Sequence, residues 1–575
     1  MFAAFGALAR ALSPQSLLRG AGRFSSEKSA GRSIESNTLE GTHALTLLDE
    51  IKAASREFLG KRGMEGHAAG AECIERAAEA PGEPAPVILQ TILAPGDIAV
   101  FTAAVRDLHR CYPGRFRTAA IVDGPAGGNN HFVTDGNPWL EPVEDMPEGT
   151  PVLRVDYPLI HKSNQDGRHF IWGYIEDLNE KLDLSIRLTE FRPDLHLSAE
   201  EKASRPVEEP YWVVVAGGKA DYATKLWAPQ RWQEVVDMLS PEVRFVQVGA
   251  NTREHPPLTG ALDLRGRTTL RQAMQLVFHA EGVACPVTSF MHFAAAFNRP
   301  CVVVAYQGEA AWWEGYTAEG RALNAPEDRR KDFAPHRYVM GGYACDVPDK
   351  PDWGCWRSKV TTGEPSERCA HLRNEGGALF PECLAAIQPE DVAQAILSYS
   401  APALPSDAPT LHVFANMGAQ GGGEHSTLTL MEHLRKRFRV EFWPLTRINP
   451  AWRTRVFKAS EKVHRDWKPD APPELGQGEH ALFYMNDYAS RFCVAAEAWQ
   501  AALAPLASVQ MVLNFVLGGV QRQDWLADKL SAAYFLNRSK EGEWKTHTRK
   551  GPLAQVPTIV LPPPTELAAF LEIER

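Results

Sequence analysis

The chain has no uninterrupted apolar run approaching the roughly 20 residues that a membrane span requires, so no transmembrane segment is expected. It has no surplus of positive charge: 61 Lys and Arg stand against 71 Asp and Glu, for a formal charge of −10. That balance excludes a general nucleic-acid binder, which needs a broad basic face, and leaves any phosphate recognition to a local site. The nine cysteines include no Cys-x-x-Cys pair, so neither a zinc ribbon nor a thioredoxin-like redox centre is signalled. What is present is ordinary for a globular protein, 44% hydrophobic and 23% charged. At 575 residues the chain exceeds what one hydrophobic core supports, and two or three domains are expected.

Residues 1–85 form an N-terminal extension without candidate chemistry, partly helical or disordered. Met1 to Ser26 carries Arg10, Arg19 and Arg23 and no acid, with Phe2, Phe5, Leu8, Leu12 and Leu17 able to share a helix face. That composition suits an organellar transit peptide, and equally an ordinary basic tail. The expected address is the cytoplasm of a bacterial-type cell, with organellar targeting as the alternative. A helix is expected near Leu45 to Leu59, and a Pro-rich exit from Pro81 to Pro86.

From Pro86 short apolar runs alternate with amphipathic stretches, the pattern of α/β units around a parallel sheet. Residues 86–198 are expected to form one Rossmann-like domain, with strands at Val87–Leu93, Thr118–Val122, Val152–Val155 and Ser185–Leu188 and a helix from Asp97 to Tyr112. Residues 210–398 are expected to form a second. Its first strand, Tyr211 to Val215, runs into Gly217 and Gly218, and further strands fall at Phe245–Gly249, Gly282–Cys285 and Cys301–Ala305. Ligands of such sheets bind outside the carboxyl ends of the strands. The loop Ala94-Pro95-Gly96-Asp97, the segment around Lys225 and the run Thr288-Ser289-Phe290-Met291-His292 all lie at such ends.

Four pieces in a fixed order carry a resemblance. Gly96-Asp97 precedes a helix ending in Arg110-Cys111-Tyr112-Pro113; Lys225-x-Trp227 follows, with Trp232; then Leu264-x-Gly266-x-Thr268-x-Leu270; then His292-x-Ala294-Ala295-Ala296 leading to Arg299-Pro300. Over residues 86–398 the chain resembles the family 9 glycosyltransferases, the ADP-heptose heptosyltransferases, and more closely their autotransporter heptosyltransferase subgroup. The resemblance implies a GT-B fold of two facing Rossmann-like domains and an inverting transfer with no catalytic metal. The donor would be a nucleotide-diphosphate sugar, with ADP-heptose favoured, and the acceptor a hydroxyl on a glycan or protein.

Such a transfer needs a base to take the acceptor proton, and Asp97 matches the family's base; the same aspartate is also suited to capping a helix. Lys225 would neutralise the diphosphate, or serve as a solvated surface lysine. Gly217, Gly218, Thr288, Ser289, Met291 and His292 are the expected donor contacts, although His292 suits a buried core position equally. Val287 stands where the family has an acid and Ser289 where it has a glycine, which leaves the sugar nucleotide open. A degenerate GT-B protein that binds a nucleotide sugar or glycan without catalysis is the alternative, and an epimerase on the same donors is a third reading.

Cys345, Cys355, Cys369 and Cys383 fall in a Gly-, Pro- and Trp-rich insertion, residues 341–383. Four thiolates can hold iron or zinc, and the autotransporter subgroup carries a cysteine-bound iron finger at this point; free thiols and disulfides are the other readings. Any metal would be structural, since the chemistry requires no cofactor. After an Ala- and Pro-rich linker, 399–409, residues 410–575 resemble the N-terminal half of a family 4 glycosyltransferase. A glycine loop, Gly418 to His425, precedes a helix there, and Leu561-Pro562-Pro563-Pro564 ends the pattern. This part is expected to be a third, accessory Rossmann-like domain, with Asp487, Asn514 and Asn537 as pocket residues. A homo-oligomer is also expected.

Overall fold

Each of three parallel sheets begins at a strand that later strands flank on both sides. The computed structural model describes residues 83–560 apart from 124–129, 158–168, 219, 310, 342–354, 356, 401–403, 406, 420–421, 486–495, 514–527, 529, 536–537 and 550. The expectations for residues 1–82, Cys345, Asp487, Asn514, Asn537 and the Leu561 to Pro564 run lie outside the described residues.

In the first sheet β1 (Ala85–Thr91), β2 (Phe116–Val122), β3 (Leu140–Glu141) and β4 (Val152–Arg154) run parallel in the order β3-β2-β1-β4. β1 leads through a three-residue turn into α1 (Pro95–Cys111), whose first turn holds a proline and an acid, both favoured where helix N–H groups are unpaired. Every residue of α1 from Ile98 to Leu108 is buried. This includes Arg106, whose guanidinium pairs with Asp107 and donates to the carbonyls of Glu190 and Arg192. A second helix, α2 (Ile171–Leu182), packs on α1.

Ser185 to Leu188, expected as a strand, joins no sheet. Its backbone is satisfied by side chains instead: Ile186 N–H donates to Asn179 Oδ1, Ser185 N–H to the Tyr112 hydroxyl, and Thr189 N–H to Asp107 Oδ2. Ser-Ile-Arg-Leu alternates as a strand does, yet its backbone partners are side chains and not a neighbouring strand.

The second sheet comprises β5 (Trp212–Val214), β6 (Phe245–Gln247), β7 (Leu262–Asp263), β8 (Gly282–Pro286), β9 (Cys301–Ala305) and β10 (Arg337–Met340), all parallel, in the order β10-β9-β8-β5-β6-β7. The order reverses between β5 and β8, which makes a crevice at their carboxyl ends. Its helices include α3 (Pro229–Leu239), α4 (Leu270–His279), α5 (Ser289–Ala296), α6 (Ala311–Glu314) and α7 (Pro389–Ser398). Thr269 caps α4 through a hydrogen bond from Gln272 N–H. An antiparallel hairpin, β11 (Leu372–Glu375) and β12 (Ala378–Pro381), precedes α7.

The third sheet is wholly parallel: β13 (Thr410–Ala415), β14 (Arg439–Pro444), β15 (Lys462–Val463), β16 (His480–Met485), β17 (Ser508–Leu513), β18 (Leu530–Phe535) and β19 (Thr558–Val560). The order β15-β14-β13-β16-β17-β18-β19 repeats the reversal of the second sheet, and α8 (Gly422–Leu434) and α9 (Arg453–Ala459) serve it. The fold class is α/β, with Rossmann-like sheets.

Two apolar cores bind the sheets together. One runs from Val87, Leu89 and Phe101 to Val213, Cys285 and Phe293, joining the first sheet to the second. The other runs from Trp212 and Val304 through Val392 and Ile396 of α7 to Leu411, Val413 and Val456, joining the second sheet to the third. Among the described residues no helix is long and apolar enough to cross a membrane.

Candidate active site

The first turns of α1 and α5 meet face to face. Gly96 makes the approach: a Cβ at that position would lie 3.1 Å from His292 Cδ2 and 3.3 Å from Ser289 Cα. Beside it, Phe170 N–H donates to the Trp313 carbonyl across the two sheets at 2.9 Å. Asp97 therefore sits at the seam, and its two oxygens have different work. Oδ2 accepts the Ala94 N–H at 3.1 Å, which is the helix-capping role; Oδ1 accepts the Tyr157 hydroxyl at 2.7 Å. Tyr157 is buried against Phe170 and Tyr174, and burial together with the Asp97 charge raises its phenol far above the ordinary value. It stays a donor, and orients the carboxylate without taking its charge.

Lys225 ends a short 3₁₀ turn after β5 and reaches the same centre. Its ammonium is 2.7 Å from Glu309 Oε2, and it is also coupled electrostatically to Glu314 and Asp97. Burial disfavours the ammonium, yet the three carboxylates outweigh it and the lysine pKa rises. Glu309 pairs with a cation and its pKa rises too, because burial and the Asp97 charge exceed the help from Lys225. The opposite directions expected of a simple ion pair are absent because acids outnumber the base. Lys225 remains charged, and desolvation and the Glu309 charge push Glu314 up to about 8. Glu309 and Glu314 come from the loop after β9 and from α6.

The α5 residues divide. Thr288 starts the helix in an extended conformation, and its hydroxyl is buried with no hydrogen-bond partner among the described residues. Ser289 is half-buried at the seam. Met291 is fully buried and its sulfur accepts the Tyr338 hydroxyl at 3.3 Å, a core contact. His292 Nδ1 lies 2.9 Å from the Tyr316 hydroxyl, and desolvation, aided by His169, His336 and Lys225, keeps it neutral. His169, His292 and His336 all pack edge-on around the Tyr316 ring.

Of the two glycines after β5, Gly217 is buried and a Cβ there would lie 2.5 Å from His255 Cβ, whereas Gly218 is exposed and meets only the end of Leu226. His255 Nε2 accepts the Ala216 N–H and Nδ1 lies against the Ala250 carbonyl, so the imidazole holds the loop as the Nδ1–H tautomer. Gly217 thus makes room for a loop-bracing histidine.

Cys355, Cys369 and Cys383 form no disulfide; burial raises the Cys355 thiol and pushes Cys383 up to about 11, with smaller contributions from the neighbouring cysteines. Among the described residues no three His, Cys, Asp or Glu side chains are arranged to hold a metal ion.

Tyr157, Glu309, Glu314 and Tyr316 were not singled out from the sequence. The one available signal was position: Glu309 and Glu314 follow the carboxyl end of β9, where ligands of parallel sheets bind.

No curated protein matches the chain by sequence. Among solved structures, the chain is similar to the ADP-heptose LPS heptosyltransferase II of E. coli, at 15% identity, TM-score 0.34, over 55% of this chain and 98% of that one. It is also similar to the iron-containing dodecameric glycosyltransferase TibC of enterotoxigenic E. coli, at 17% identity and TM-score 0.38, over 55% of this chain and 76% of that one. A third is E. coli heptosyltransferase WaaC with ADP, at 14% identity and TM-score 0.29, over 39% and 88%. Residues 156–334, which carry β5 to β9 together with Lys225, Glu309 and Glu314, match the model of glycosyltransferase family 9 (heptosyltransferase).

Proposed function

We propose that the chain is an inverting glycosyltransferase of GT-B architecture that moves a sugar, heptose favoured, from a nucleotide-diphosphate donor to a hydroxyl on a glycan or protein. The observation that carries this reading is the close approach of Gly96 to Ser289 and His292, which sets Asp97, oriented by Tyr157, against the helix that follows β8. In this reading Asp97 Oδ1, held by Tyr157, takes the acceptor proton as the new glycosidic bond forms. Lys225 offsets the charge that develops on the departing diphosphate. The open Thr288 hydroxyl and the N–H groups at the start of α5 add donors on the same side. A positioned base contributes about 10²- to 10⁴-fold to such a step.

Met291 and Gly217 have packing roles that account for their identity, so the donor contacts of the proposal are Gly218, Thr288, Ser289 and His292. The four cysteines belong to the proposal as a structural iron or zinc site. The described cysteines are not arranged as a metal site, so that part of the reading rests on the sequence resemblance, and metal analysis of Cys→Ser variants tests it. A cytoplasmic location, a homo-oligomer and an accessory, non-catalytic role for residues 410–575 complete the reading.

The test is thermal stabilisation by ADP, UDP and their sugars. Stabilisation by a diphosphate nucleotide, lost in Lys225→Ala, is expected; indifference to every nucleotide contradicts the reading and favours a protein that binds glycans without catalysis.

A further inference from the structure

We infer that Glu309 is an internal competitor for Lys225: its carboxylate sits where a donor diphosphate must bind, and the diphosphate enters by displacing it. The inference rests on the reading of Lys225 as the phosphate clamp. Its own observations are local. Glu309 is 4% exposed, and one oxygen is 2.7 Å from the Lys225 ammonium, the separation at which a phosphate oxygen would lie. It follows β9 by four residues, in the crevice where the strand order places ligands. Three carboxylates, Asp97 from α1, Glu309 from the loop and Glu314 from α6, surround the single ammonium, so the centre carries a net negative charge before any donor arrives. A diphosphate cannot simply add to that arrangement. Either a carboxylate leaves the lysine or it takes up a proton.

Glu309 is the group that must move, because the others are held elsewhere. Asp97 is tied by the Ala94 N–H and the Tyr157 hydroxyl, and Glu314 is fixed in α6, whereas Glu309 lies on the loop between β9 and α6. Among the described residues the groups facing Glu309 are Lys225, Asp97, Glu314 and the Tyr306 and Tyr338 hydroxyls, and Lys225 is the one cation of these. The consequence is a site that stays capped until a ligand with more charge than one carboxylate displaces the cap. Monoanions would be refused, and diphosphates admitted at a cost in affinity. Because only molecules with Lys225 uncovered are competent, the apparent affinity falls by the fraction uncovered.

The experiment is calorimetric titration of the full chain with ADP and with adenosine, in wild type, Glu309→Gln, Glu309→Ala and Lys225→Ala. Both Glu309 variants should bind ADP tighter than wild type, by about tenfold if the lysine is uncovered in a tenth of molecules. Neither variant should gain affinity for adenosine, which carries no phosphate to compete for the lysine; a merely structural glutamate would not separate the two ligands. ADP that binds wild type, is lost in Lys225→Ala, and binds both Glu309 variants equally or more weakly overturns the role of Glu309 alone. ADP that binds none of the four, or binds Lys225→Ala as it binds wild type, overturns the clamp on which the inference rests.

Discussion

Asp97 shows how a residue can satisfy two readings at once. Its position predicted a helix cap or a base, and the structure gives one oxygen to the cap and leaves the other at the seam, oriented by a tyrosine 60 positions along the chain. The cap was legible because it is local. Tyr157 was not, because nothing in a sequence marks a tyrosine whose partner is so distant. The histidines carry a prediction of their own. His169 and His336 are buried and held near a pKa of about 3, and His292 is held well below its usual value, chiefly by desolvation. Each is therefore neutral when folded, and each takes up a proton on unfolding once the pH lies below about 6.5. Stability is full above that pH and falls as acid is added down to about pH 3, by up to about 1.4 kcal/mol per pH unit per histidine. Denaturant titration between pH 7 and pH 4.5 should show this slope, and His336→Phe should reduce it by up to about 1.4 kcal/mol per pH unit; an identical slope in that variant would contradict the assignment.

Among the elements, the long strands and helices with a strong pattern were legible. Val87, Leu89 and Phe101 announced β1 and α1, and the all-apolar runs of β8 and β9 could only be buried parallel strands. β10 and β18 were missed: β10 reads Arg-Tyr-Val-Met and is half-exposed, at the sheet edge, where burial no longer imposes a pattern. Both glycines after β5 are expected from the sequence as donor contacts, yet their surroundings separate them. Gly217→Ala should destabilise the chain by about 1–3 kcal/mol, since the new methyl meets His255 where it braces the loop. Gly218→Ala, facing only a flexible leucine end, should stay within about 0.5 kcal/mol of wild type. Equal melting temperatures for the two variants would remove the bracing role from His255.

At the scale of the whole molecule the third sheet is joined to the second, as the shared core shows. Val392, Ala393, Ile396 and Leu397 of α7 are buried in a cluster that includes Leu411, Val413 and Val456, and Thr454 donates to the Met238 carbonyl across the junction. The Ala- and Pro-rich composition of 399–409 suggested a linker, and composition alone cannot say whether the modules on either side touch. Ending the chain before Leu404 would leave the α7 face bare, so the truncated protein should aggregate or melt at a markedly lower temperature. A monodisperse truncation with unchanged melting would show that the third sheet contributes nothing to the first two.

In the proposed function Asp97 and Lys225 serve one reaction from opposite sides of a seam. Turnover of ADP-heptose, followed by ADP release, tests it with two variants. Asp97→Asn should lose about 10²-fold or more in turnover while binding ADP as wild type does, and Lys225→Ala should lose ADP binding itself. Full turnover in Asp97→Asn, or ADP bound equally by wild type and Lys225→Ala, would contradict the account.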